Sequence, residues 1–328
     1  MSKDKTFMII IITFSLMVII LGLQGIAAYH RGVLAATTTT SNINSNNVTD
    51  SNLKNIQEND ILLTKILAKN LEDHIQKAGA ILEITSKLPQ VRNVSYAHLL
   101  NQTLSTLHGI PQYADIQKRQ IAKNIIASNS DLYKIYFILP NGDMYFLEPY
   151  STQQTLTKNN YAFRDYFQGA IKTNDTYLGN VIIATAASHP IEAAIAVPVY
   201  SLMDNSTVVG VRAGSINFNI LDKELQSLNI TSSSGGRNGV VYVDSNGQKI
   251  VDYNISKSET PESFTNLNSF KDAISGKAGS IIDTINNNSK MLVAYQPVKA
   301  FHNTWVVLLM QPLPSAKNQS LNIFSSPS

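Results

Sequence analysis

A set of three segments, YKIYFILPNGDMYF (Tyr133–Phe146), FRDYFQG (Phe163–Gly169) and AAIAVPVYS (Ala193–Ser201), recurs later in the chain in the same order. The second set reads GVVYVDSNGQKIV (Gly239–Val251), FKDAISG (Phe270–Gly276) and MLVAYQPVKA (Met291–Ala300), with Gly142 recurring as Gly247, Phe163 as Phe270 and Pro198 as Pro297. Ordered duplication at a nearly constant offset restricts the chain to two modules of one α/β design. Each module opens with alternating runs around Asn141-Gly142 or Asn246-Gly247, the pattern of a hairpin closed by a two-residue type I′ turn with both residues at positive φ. The copies diverge where a ligand would be held: Arg164, Tyr166 and Phe167 stand where the second copy has Lys271, Ala273 and Ile274.

Ahead of the repeat, residues 7–28 are free of charge. At ~1.5 Å per residue this run spans a bilayer core of ~30 Å. It is a membrane helix or a long signal sequence, with Ala35 and Ala36 as small residues beyond it; its length favours an uncleaved anchor. Lys3 and Lys5 before the run and Arg31 after it favour a cytoplasmic N-terminus slightly. Asn-x-Ser/Thr acceptors at Asn47, Asn93, Asn101, Asn174, Asn205, Asn229, Asn254, Asn287 and Asn318 agree with a glycosylated extracellular surface, although a composition this rich in Asn, Ser and Thr produces many of them unaided. The chain has no cysteine, so disulfides and thiolate metal sites are excluded. A net charge of +3, dispersed along the chain, gives no basis for nucleic-acid binding.

The spacing supports an organisation of 1–6 as cytoplasmic terminus, 7–28 as anchor, 29–52 as polar linker, 53–131 as stalk and flanking helices, 132–231 and 232–312 as the two modules, and 313–328 as a polar tail. Ile56, Leu63, Leu67, Leu71, Ile75, Ala78 and Leu82 recur every three, four or seven residues, which predicts a long helix from Leu53 to Leu88, ended or kinked by Pro89. Its stripe either packs along both modules or pairs with a second chain. Shorter helices are expected over Tyr96–Leu107 and Ile116–Ala127. Strands are expected over Leu178–Thr185, Glu192–Ser201 and Val208–Phe218, and again over Gly279–Thr284, Lys290–Pro297 and Thr304–Gln311. Ser232–Asn238 separates the copies. The fold class is α+β: one transmembrane helix, a long helix, then two tandem PAS-like modules with antiparallel sheets.

With its duplication, long leading helix, FRDYFQGA segment and AVPVYS…VVGV run, the chain resembles the extracellular double Cache sensor domains of chemoreceptors and sensor histidine kinases, over about Leu53 to Pro312. The resemblance implies a membrane-distal module that carries the ligand pocket and a membrane-proximal one that transmits. In amino-acid-binding members, the helix start matched by Arg164, Tyr166 and Phe167 holds a carboxylate, and acidic residues elsewhere hold the ammonium. Those acidic positions fall here on Ser215 and on Gly179 or Asn180, following Tyr177, and an expected tyrosine falls on Asn159. The anion half of such a site is present and the cation half is replaced, so the resemblance implies a small carboxylate in preference to an α-amino acid. Physically, an arginine at a helix start presents a planar fork to a carboxylate, free helix N–H groups favour the same anion, and aromatic rings enclose the rest. Arg164, Tyr166, Phe167, Tyr145, Tyr177, Asn180 and Ser215 are the candidate ligand-binding residues.

The alternatives are plainer. Arg164 can instead pair at the surface with Asp165, Asp143 or Glu148; the aromatics can be core; and Glu192 reads as an exposed strand residue. No HExxH, G-x-S-x-G or phosphate-loop pattern is present, so neither an enzyme nor a metal or cofactor is implied. The expected function is a membrane-anchored extracellular sensor of a small anionic metabolite. A polar C-terminal tail means that its signal passes through a partner, a homodimer formed by the long helix, or a region beyond this sequence. The alternative is a glycosylated surface structural or interaction protein that has lost ligand binding.

Overall fold

The computed structural model describes residues 45–186, 191–227, 239–253, 263–285 and 289–313. The chain divides into Met1–Leu53 and Lys54–Ser328, and both sheets belong to the second unit. The predicted span 7–28, His189 and Ser232–Asn238 lie outside the described residues. Among the described helices none is long and apolar enough to cross a membrane.

Helix α1 (Ser45–Ser86) presents Leu67, Leu71, Ile75, Ala78 and Leu82, each at most 2 % exposed, as one buried face. Their spacing of three and four is what a helix needs to keep apolar side chains on one side, and burial of each leucine or isoleucine contributes about 1.5–3 kcal/mol. The helix starts before Leu53, where the apolar spacing ends, because an added polar turn requires no buried stripe. At its other end it stops before Pro89, which opens a short separate helical turn, Pro89–Arg92. Helices α2 (Leu100–Leu107) and α3 (Ile116–Ser128) follow.

The first sheet comprises β1 (Leu132–Ile138), β2 (Met144–Glu148), β3 (Tyr177–Leu178), β6 (Ala194–Tyr200) and β7 (Val208–Ile216), with helix α4 (Asp165–Thr173) inserted after β2. A separate two-stranded ribbon pairs β4 (Ile182–Ile183) with β5 (Ile191–Glu192). Helix α5 (Phe218–Ser227) precedes the second sheet, which is built from β8 (Gly239–Val243), β9 (Lys249–Tyr253), β10 (Gly279–Ile285), β11 (Ser289–Ala300) and β12 (Asn303–Pro312), with α6 (Asn268–Ile274). The strand orders are β2-β1-β7-β6-β3 and β9-β8-β12-β11-β10, the same path traced twice. All pairings are antiparallel.

Two expectations are corrected. At Asn141-Gly142 only the glycine has positive φ, 91°. Gly142 N–H donates to the Leu139 carbonyl at 2.8 Å and Leu139 N–H to the Asp143 carbonyl at 2.8 Å, which is a type I turn followed by a left-handed glycine bulge. Pro140, with φ fixed near −65°, suits the first central position of this type I turn, which moves the turn one residue earlier than expected. Gly247 repeats the device at φ 76°. The run Leu178–Thr185, expected as one strand, is broken after Leu178. There Leu178 N–H donates to the Phe301 carbonyl at 3.0 Å and Val181 N–H to Asp244 Oδ2 at 2.8 Å, so the segment docks on the second sheet before returning as β4.

The first sheet is buried on both faces. Ile135, Phe137, Ile195 and Val197 pack with α1, whereas Tyr136, Ile138, Ala194, Ala196 and Ala213 pack with Tyr166, Phe167 and Ala170 of α4. Helix α1 also reaches the second sheet, where Asp60 Oδ2 accepts from Gln311 Nε2 at 2.6 Å and Gly79 lies against the ring of Phe301. A Cβ on Gly79 would fall 2.2 Å from that ring. Gly79→Ala is therefore expected to cost about 1–3 kcal/mol through overpacking, despite the ~1 kcal/mol alanine gains in helix propensity. A urea midpoint equal to or above that of the parent protein would refute this close approach.

Candidate functional site

Between α4, the first sheet and the β4–β5 ribbon lies a small cavity of about 20 Å³. That is room for about one water molecule. Its lining comes from Lys134 and Tyr136 of β1, Met144 and Leu147 of β2, Leu156, Tyr161, Arg164 and Tyr166, then Ile182 and Ala184–Ala186, and finally Glu192.

Arg164 sits immediately before α4 in extended conformation, φ −76° and ψ 136°, which turns its side chain across the helix start toward the ribbon. One terminal nitrogen donates to the Ile183 carbonyl at 2.8 Å, and the guanidinium lies 4.8 Å from the Phe163 ring centre. Its Nε is buried without a hydrogen-bond partner, as are the hydroxyls of Tyr136 and Ser215. The three carboxylates expected as surface partners are engaged elsewhere. Glu148 pairs with Arg119 at 2.7 Å, Asp143 accepts from Asn160, and Asp165 caps Tyr166 N–H and accepts from Asn180 N–H. The helix start thus already carries an acidic group, Asp165, and the anion-attracting element facing the cavity is the arginine.

The cavity holds one carboxylate, that of Glu192, whose Oε2 accepts from Lys134 Nζ at 2.5 Å and from the Tyr133 hydroxyl. Glu192 is 7 % exposed, not the exposed strand residue expected, because β5 folds back over the cavity. Burial raises the phenols around it: Tyr161 is pushed up to about 12, and Tyr136 and Tyr166 are raised further. All three are neutral hydroxyls at physiological pH, able to donate or accept. Tyr136 and Tyr166 meet edge-to-face with ring centres 6.0 Å apart.

Of the residues singled out in the sequence, Arg164 and Tyr166 line the cavity. Ser215 is the cross-strand partner of both Lys134 and Ala194 and lies beside Tyr136. Phe167 is buried in the same apolar cluster, away from the cavity wall. Tyr145 is on the opposite face of the sheet, where its hydroxyl donates to Asp115 at the start of α3 and its ring meets Phe137, because a bulge in β2 puts Tyr145 and Phe146 on the same face. Tyr177 packs its ring on Gly169. Asn180 lies where the segment meets the second sheet, its Oδ1 accepting from Ser245 and Asn303. Lys134, Tyr136, Tyr161 and Glu192 were not anticipated.

At the equivalent place in the second sheet, the start of α6 is closed by Asp283 Oδ2, which accepts from both the N–H and the hydroxyl of Ser269 at 2.8 Å. Lys271, in the place of Arg164, turns outward to the Asn266 carbonyl. Among the described residues no cluster of His, Asp or Glu is suited to hold a metal ion.

Two sheets of identical strand order thus stand on a long helix, with a small cavity under the first. The chain belongs to the Cache domain family, whose sequence profile matches residues 28–317. Its fold is similar to the periplasmic sensory domain of the Campylobacter jejuni chemoreceptor Tlp1, at 16 % identity, a TM-score of 0.56, and coverage of 80 % of this chain and 96 % of that one. The extracellular domain of the putative histidine kinase rpHK1S-Z16 matches at 12 % identity and 0.56, covering 81 % and 96 %. The ligand-binding domain of the Pseudomonas aeruginosa amino acid chemoreceptor PctB, in complex with L-Gln, matches at 14 % identity and 0.52, covering 82 % and 95 %. No curated protein matches it in sequence.

Proposed function

We propose that the chain is a membrane-anchored extracellular sensor of tandem Cache modules that binds a small carboxylate in the first module, with Arg164 as the anion receptor. The observation that carries this reading is a cavity-facing arginine whose Nε is buried and unpartnered and whose one side-chain hydrogen bond among the described residues is to a backbone carbonyl, Ile183. A buried donor left unmet costs about 1–3 kcal/mol, so a site of this kind favours an incoming acceptor. A carboxylate replacing the Ile183 carbonyl would release β4 and enlarge the cavity. The same segment is anchored on the second sheet through Leu178, Asn180 and Val181, which supports transmission of occupancy to the second module. Membrane anchoring by residues 7–28, extracellular placement, pairing of two chains along α1 and a membrane signalling partner belong to this proposal.

The small volume of the cavity favours a second reading, a surface structural or interaction protein with a closed site. Thermal unfolding of the full chain against small carboxylates separates the two. A ligand at 100 times its dissociation constant adds ~2.7 kcal/mol, a shift of several degrees. Arg164→Ala is expected to abolish that shift while leaving the ligand-free midpoint nearly unchanged. A well-folded protein that no carboxylate stabilises would favour the structural reading.

A further inference from the structure

The cavity at Arg164 holds two cations and one carboxylate, and one oxygen of that carboxylate already takes two hydrogen bonds. Lys134 Nζ lies 2.5 Å from Glu192 Oε2, and the Tyr133 hydroxyl donates to the same oxygen. Lys134 and Glu192 side chains are 8 % and 9 % exposed, so this is an interior ion pair and not a surface contact. Lys134 is held there from two sides: Ser215 is its partner across the sheet, and its ammonium stands 4.8 Å from the Tyr133 ring centre. Arg164, by contrast, has no carboxylate of its own and keeps a buried, unpartnered Nε.

We infer that Lys134 is a specificity-determining residue: its ammonium occupies Glu192 and thereby restricts the Arg164 cavity to anions that carry no amino group. The inference rests on the reading of this cavity as the ligand site. An incoming carboxylate meets Arg164, whose Nε is unpartnered, beside the Tyr136 hydroxyl. An incoming ammonium meets two cations, Lys134 buried and Arg164 half-buried, and a carboxylate whose Oε2 already accepts two hydrogen bonds. Like charges in a desolvated space repel strongly, and a polar ligand group left without a partner lowers affinity severely. Lys134 thus acts as a built-in amine that competes with any amine on the ligand.

The test compares probes matched in size that differ by an ammonium: acetate and glycine, lactate and alanine, succinate and aspartate. Binding to the full chain is measured by titration calorimetry, with thermal midpoints confirming that each variant is folded. At least one carboxylate is expected to bind in an Arg164-dependent manner, with its amino counterpart at least about tenfold weaker. In Lys134→Met that gap is expected to close or invert, because Glu192 becomes available to the ligand. Lys134→Gln keeps a hydrogen bond to Glu192 without the charge and serves if the methionine variant does not fold; its ratio is expected to fall between the two. Glu192→Gln frees Lys134 and is expected to tighten the carboxylate and weaken the amine further, a change that a purely structural ion pair would not produce. A parent protein that takes both members of a pair equally through Arg164, or Lys134 variants with an unchanged ratio, would overturn the role of Lys134 alone. Failure of all three carboxylates, or binding indifferent to Arg164→Ala, would overturn the ligand site itself and this inference with it.

Discussion

Replacing Arg119 by methionine is expected to destabilise the protein by about 3–5 kcal/mol, the range for breaking a buried ion pair from one side. Arg119 is 2 % exposed and lies on α3 against the end of β2. Its guanidinium donates to Glu148 Oε1 at 2.7 Å, to Gln153 Oε1 at 3.0 Å, to the Ile110 carbonyl at 2.9 Å and, through Nε, to the Ala114 carbonyl at 3.3 Å. Its removal leaves Glu148, 1 % exposed, with Lys123 as its nearest cation among the described residues, at 4.0 Å. It also leaves Gln153 and two loop carbonyls short of a donor. The measurement is urea unfolding, in which a lowered midpoint at unchanged slope reports stability and not compactness.

The paired variant Arg119→Met with Glu148→Leu makes the prediction specific. Removing both charges trades the ion pair for apolar contact, which is often neutral or stabilising. The double variant should therefore recover stability relative to Arg119→Met, with a coupling between the sites of about 0.5–3 kcal/mol. Purely additive losses would mean that the arginine matters for its packing against Phe146 and Tyr150, each about 5.2 Å away, and not for its charge. Glu148 ends the strand that carries Leu147 into the cavity wall, and the Leu147 N–H is itself held by Gln153 at 3.0 Å. This core network fixes one side of the cavity.

What was legible in the sequence was what local rules determine. The α1 stripe follows from helical spacing, and the two hairpins follow from alternating runs around Asn-Gly. The duplication anticipates the common strand order, since equal segments in equal order fold along equal paths. Arg164 was legible because it stands where a helix begins. The rest depended on contacts distant in sequence. KIYFI is apolar nearly throughout, so periodicity alone cannot say whether Tyr136 or Phe137 faces the cavity, and a bulge at Tyr145 shifts the parity of β2, which puts Tyr145 and Phe146 together on the other face. The break after Leu178 depends on Asp244 and Phe301 in the second sheet. Lys134 and Glu192 are separated by 58 positions, and each read singly looks like a solvated strand residue; only their pairing makes burial tolerable.

Stability is expected to fall as pH rises from about 6.5 to above 9, because of His74. Burial by itself lowers the affinity of this imidazole for a proton, but hydrogen bonds to Asp131 at 2.6 Å and Glu224 at 2.8 Å outweigh it and raise the group from 6.5 to about 9. The folded state therefore holds the proton more tightly than the unfolded chain. The stabilisation is complete below 6.5 and is lost as pH passes through about 9. A rise of this size corresponds to ~3 kcal/mol at ~1.4 kcal/mol per unit, and screening at the Glu224 side reduces the expected loss to about 2 kcal/mol; Glu224 is 41 % exposed. Asp60, pushed up to about 6 by burial, produces a separate loss of stability as pH rises from 3.8 to 6, since its neutral form is the one the fold prefers. His74→Gln should abolish the alkaline loss and leave the acidic one, whereas an unchanged alkaline limb would assign it to other groups. His74 joins α1 to the residue before β1 and, through Glu224, to α5, the helix leading from the first sheet to the second. Deprotonation there loosens the long helix at the junction of the two sheets.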